Sequence, residues 1–124
     1  MIALALLSWH RWLAWGLIVA NGAAGGWALA AHYRRRLGGR PLWAAIAGAQ
    51  LFAFAEAITG AVLMTRYDRE PARLHALYGF STVIAVGILY SYRTTPSMRG
   101  KEYLLYAGGS LFIMGLGIRA LVPA

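Results

Sequence analysis

Residues 74–93 read LHALYGFSTVIAVGILYSYR. The apolar run is long enough to cross a bilayer, whose hydrocarbon core of roughly 30 Å takes about 20 helical residues. A histidine, His75, stands one residue inside its first edge. The chain opens with the same arrangement: His10 begins the apolar run HRWLAWGLIVANGAAGGWALAAHY. Two more runs, LWAAIAGAQLFAFAEAITGAVLMT and YLLYAGGSLFIMGLGIRALV, complete the set. The periodicity predicts four membrane-spanning helices over about 8–32, 42–65, 74–92 and 103–122.

Composition agrees with this reading. Of 124 residues 60% are hydrophobic and only 13% charged, where a soluble domain carries about 25% charged residues. The mean hydropathy is +0.55. The length predicts a single domain, 1–124. There is no cysteine, which excludes disulfides, thiolate catalysis and Cys-ligated zinc or iron–sulfur centres. No GxGxxG or GxxxxGK[ST] is present to bind a nucleotide. The net charge of +8 comes from 12 Lys+Arg against 4 Asp+Glu. In a soluble protein that balance points to nucleic acid. Here the arginines sit at the ends of apolar runs, so anionic lipid headgroups are the expected partner and nucleic acid is not. The opening MIALALLSWHRW lacks a basic region before its apolar residues and reads as the lead-in to the first helix, not a removable signal peptide. The expected location is a cytoplasmic membrane of prokaryotic type.

Trp9, Trp12 and Trp15 crowd the start of the first span, and Trp27 and Tyr33 its end, as interfacial aromatics do. Gly22 and Gly26 form a GxxxG pair that lets a neighbouring helix approach. Pro41 is placed to open the second helix. Arg34, Arg35, Arg36 and Arg40 mark the first loop, and Arg93, Arg99 and Lys101 the third, as cytoplasmic. Arg11, Arg66, Arg69, Arg73 and Arg119 fall on the other side. Short connections make neighbouring spans antiparallel. The expected fold is therefore an all-α, up-down-up-down bundle of four transmembrane helices with both termini outside.

This topology gathers the rare polar groups. His10 and His75 lie at the outer ends of spans one and three, and Arg119 about one turn from the outer end of span four. Glu56, counted inward from Thr65, lies ~13 Å deep. A charge at such depth faces the bundle interior or a partner, and Arg119 is the expected partner of Glu56. Ala49, Phe52, Ala53, Glu56 and Gly60 share one face of span two; His75, Tyr78, Gly79 and Thr82 share one face of span three. Each group also has a plainer role. Either histidine can meet water and headgroups, Glu56 can be structural or protonated, and His32 can be interfacial. Asn21 and Gln50 can hydrogen-bond between helices, and Tyr90 and Tyr92 can anchor the interface.

The histidine pair says more than its members. Spans one and three stand diagonally, enter from the same side, and carry their histidines at equal depth. A haem iron takes two axial imidazoles with the flat macrocycle between helices. Ala14 and Gly79 leave room for such a ring, and Arg11 or Arg119 could meet a propionate.

These residues resemble one four-helix half of the haem A synthase family, in which each half bears histidines on its first and third helices near the outer surface. HRWLAWGLIVA, AQLFAFAEAITGAVLM and LHALYGF carry the resemblance. Two departures limit what it implies: one four-helix unit is present instead of two, and Leu7 stands where the family has a glutamate three residues before the histidine. The catalytic assignment does not transfer. The resemblance implies the scaffold and a bis-histidine haem b site, as do four-helix membrane b-type cytochromes. The haem-binding protein would pass electrons or handle haem. Its first rival is a cofactor-free accessory or assembly subunit, docked on a larger membrane complex or forming a homo-oligomer. The second is a small proton-coupled transporter, similar to the small multidrug resistance family, whose glutamate lies on the first helix and not, as Glu56 does, on the second.

Overall fold

The structure is a computed structural model and describes residues 2–68, 70–71 and 74–121. Arg69 and Arg73, assigned above to the outer side, lie outside the described residues. The described residues form four α-helices: α1 (Ile2–Tyr33), α2 (Arg40–Arg66), α3 (His75–Arg93) and α4 (Glu102–Leu121). Single 3-10 turns at Arg35–Leu37 and Pro96–Met98 fill the first and third connections. The chain breaks where the sequence puts its breakers. Gly39 (φ +103°) and Gly100 (φ +81°) adopt the left-handed conformation, which glycine reaches without a Cβ penalty. Pro41 sits in the first turn of α2. The first helix begins at Ile2 and not near residue 8, because IALALLS contains nothing to stop it.

Three of these helices, α1, α2 and α4, are long and apolar enough to cross a membrane. The expectation of four such spans is met only in part. His75, Tyr78, Ser81, Thr82, Tyr90, Ser91 and Tyr92 dilute the apolar content of α3. Its outward face is nevertheless apolar: Leu77 is 60%, Ile84 61% and Ile88 51% exposed.

Helix α1 packs along α4 and α2, and α3 along α4, while α2 and α3 pack more loosely. A Cβ on Gly25 would stand 2.9 Å from Leu111, and one on Gly117 2.6 Å from Leu17. Those two contacts fix α1 and α4 as antiparallel. The close approach expected of Gly22 and Gly26 is made by Gly22, against Met114, and by Gly25; Gly26 faces open space. Asn21 ties α1 to α2 by donating from Nδ2 to the Ala49 carbonyl at 3.2 Å. Gln50 is buried, and its amide nitrogen has no partner among the described residues.

The two ends of the bundle differ. At one, Arg35 donates to the Gly100 carbonyl (2.9 Å) and Gly39 N–H to the Tyr103 hydroxyl (2.8 Å), so the first and third connections meet. Trp43 packs against Tyr103 and Tyr106, with the Arg93 guanidinium 5.0 Å over its ring. His32 lies at the same end of α1, its ring against Tyr33. The other end, where α1 begins and α4 stops, holds the remaining histidines.

Candidate functional site

At that second end the bundle encloses a cavity of about 390 Å³, within the size range of small-molecule sites. Its walls come from all four helices. His10, Arg11 and Ala14 belong to α1, Glu56 and Gly60 to α2, His75, Gly79 and Thr82 to α3, and Gly117 and Ala120 to α4. Met64 and Phe80 also line it and are 39% and 41% exposed, so the cavity reaches the bundle surface.

The imidazoles of His10 and His75 meet in this space in a T-shaped contact. Their centroids are 5.9 Å apart and their planes inclined by 65°. Each ring is anchored through Nδ1. The Nδ1–H of His75 donates to the Ala120 carbonyl at 2.8 Å. A carbonyl only accepts, so in the neutral ring the Nε2 of His75 carries the lone pair. The Nδ1 of His10 lies 2.7 Å from the Thr59 hydroxyl and 3.3 Å from Glu56 Oε1. The His10 ring fits because Gly60 has no side chain: a Cβ there would come within 3.3 Å of it. Gly79, one turn after His75, faces open space.

Glu56 and Arg119 do not form the expected pair. Glu56 Oε1 lies 3.3 Å from His10 Nδ1, while the Arg119 guanidinium lies 4.9 Å over the Tyr78 ring. Helices α2 and α4 stand diagonally and pack only slightly, whereas α1 is the direct neighbour of α2. Arg11 lines the cavity and Arg119 is not among its lining residues. Thr59 and the Ala120 carbonyl take positions at the site that depth along a helix could not reveal, while Gly60 lies on the face of α2 that the sequence assigns to Glu56. Thr59 stands three residues after Glu56 and beside Gly60, and that spacing was the only signal for it.

Among the described residues no group of three or more His, Cys, Asp and Glu side chains could hold a metal ion. The donor set is two imidazoles. That suits a group bringing its own equatorial ligands and needing two axial nitrogens, as a haem does. With metal–imidazole bonds of about 2 Å and the ring radius added, two imidazoles on opposite sides of one iron place their centroids roughly 6 Å apart. The observed centroid separation is 5.9 Å.

No family model, curated protein or solved structure matches the chain.

Proposed function

We propose that the chain is a haem b-binding protein of the cytoplasmic membrane, with His10 and His75 as axial ligands, serving electron transfer or haem handling. The observation that carries this reading is the pair of imidazoles on diagonal helices, 5.9 Å apart in one cavity. Each holds the protein through Nδ1, leaving Nε2 for the iron. Haem, when bound, supplies one-electron exchange at its iron. The chain's own part is to position both nitrogens, to exclude water with apolar walls, and to offer Arg11 to a propionate.

On this reading all four helices cross the bilayer in an up-down-up-down bundle with both termini outside. Two features support the crossing of α3. Its apolar outward face suits lipid, and its last residue leads into a connection that meets the one between α1 and α2. The arginines of those two connections then lie among cytoplasmic anionic headgroups.

The test is titration of the purified protein with haemin. Wild type should give the low-spin spectrum of two axial imidazoles. His10→Ala and His75→Ala should each leave a high-spin, singly ligated species, and the double variant should bind no haem. A wild-type protein that takes up no haemin removes this reading and leaves the accessory-subunit role first.

A further inference from the structure

Deprived of a partner, an imidazole exchanges its proton freely between its two nitrogens. A histidine that must present Nε2 to a ligand needs an acceptor at Nδ1. For His75 the Ala120 carbonyl is that acceptor. For His10 the neighbour is a hydroxyl, which can donate as well as accept, so the rest of the network decides. The Thr59 hydroxyl stands 2.9 Å from the carbonyl of Ala55 and 3.1 Å from that of Glu56, the two acceptors a helical threonine meets in its preceding turn. Its one proton is directed to them. Its lone pair is then what faces His10 at 2.7 Å. The second neighbour of His10 Nδ1, the Glu56 Oε1 at 3.3 Å, forms no hydrogen bond with it. The hydroxyl contact therefore calls for a proton on the His10 Nδ1.

We propose that Thr59 is a positioning residue that holds His10 as the Nδ1–H tautomer, with the Nε2 lone pair turned to the cavity. The consequence for a ligand rests on the haem reading; the tautomer itself does not. The hydroxyl relays a backbone carbonyl to the imidazole, so both histidines are fixed in the end by main-chain oxygens, His75 directly and His10 through one side chain. Such outer partners orient a ligating histidine and raise its basicity. Thr59 is close to the carboxylate of Glu56 in sequence but has no charge of its own. It can therefore set the tautomer without altering the electrostatics of the site.

The experiment uses full-length protein labelled with ¹⁵N-histidine, cofactor-free, at about pH 8, above the usual imidazole value of ~6.5. The His10 resonances are assigned by their loss in His10→Ala. Wild type and Thr59→Ser should show protonated Nδ1 and unprotonated Nε2 at His10. Thr59→Val, similar in shape but without an acceptor, should show a mixture containing the Nε2–H form. Haemin titration of the same samples should give a loss of about 10–100-fold in affinity for Thr59→Val and wild-type affinity for Thr59→Ser. A wild-type His10 protonated at Nε2, or a Thr59→Val protein with the wild-type tautomer, overturns the proposal. Should Thr59→Val not fold, Thr59→Ala, which also lacks the hydroxyl, takes its place with the same two outcomes. Failure of wild type to bind haemin would strike the haem reading alone, because the tautomer is measured without cofactor.

Discussion

Replacing Gly79 with leucine puts a side chain where the flat ring of a haem has to lie. Gly79 follows His75 by one helical turn, ~6 Å along the axis, and a Cβ there meets nothing within 4 Å. The substitution therefore collides with no protein atom. Removing a helix-interior glycine even favours the fold, by about 0.5–1 kcal/mol. The cost falls on the ligand. At about 0.8 kcal/mol per buried methylene, the contacts a leucine side chain takes from the ring sum to roughly 3 kcal/mol, more than a hundredfold in affinity. Gly79→Ala, with a single methyl, should lose only about fourfold on the same scale. The assay is haemin titration in detergent, with far-ultraviolet circular dichroism and thermal unfolding as controls for the fold. Gly87→Leu is the matching control, an exposed position on the same helix whose Cβ also meets open space. If Gly79→Leu folds and titrates like Gly87→Leu and wild type, the ring does not lie beside His75 and the site assignment is wrong.

Single cysteines at Gly38 and Gly100 should resist an impermeant thiol reagent added outside the cell, while a cysteine at Asp68 should react; reaction at Gly38 but not Asp68 would invert the orientation. Because the Gly100 carbonyl contacts Arg35, labelling that separates Gly38 from Gly100 would show that α3 does not cross. His10 and Glu56, whose side chains are 13% and 12% exposed, should show coupling of roughly 1–2 kcal/mol in a double-mutant cycle of unfolding stability, within the range for groups of one network. The cycle of Glu56 with Arg119 should close to within about 0.5 kcal/mol, as for independent sites; the reverse pattern would restore the Glu56–Arg119 pair.

Helix positions were legible because they depend on one variable, the run of apolar residues between breakers. The ends of α2 and α3 and the start of α4 fall at Arg40, Arg66, His75, Arg93 and Glu102, beside the charged and glycine-containing connections that the sequence displays. The start of α1 was not legible, since the aromatic and histidine edge at Trp9–Trp12 marks polarity and not a stop to the helix. The site divides in the same way. Counting along spans gives depth, and depth put His10, Glu56, His75 and Arg119 at one end. Direction around each helix needs its packing partner. Glu56 is close in depth to both His10 and Arg119, but α2 packs closely on α1 and only slightly on α4, so its carboxylate lies beside His10. Thr59 acquires meaning only from the ring lodged beside it.

Gly79 bears on the choice between the haem reading and that of a bundle held by helix glue alone. Glue requires each glycine to receive a neighbour. Gly25 does, against Leu111, as do Gly109 against Leu89 and Gly117 against Leu17, while Gly26, Gly87 and Gly108 meet open space on the exposed surface of the bundle. At the arginine-rich end Trp43, Tyr103 and Tyr106 close the interior with aromatic rings. At the histidine end Gly60 meets only the His10 imidazole, and Gly79 meets nothing although it lines the cavity. A residue that could bear a larger side chain without collision, and bears none beside two anchored imidazoles, leaves volume at some loss of packing contacts. That loss is explained if the volume belongs to a ligand, and the graded series at Gly79 measures whether it does.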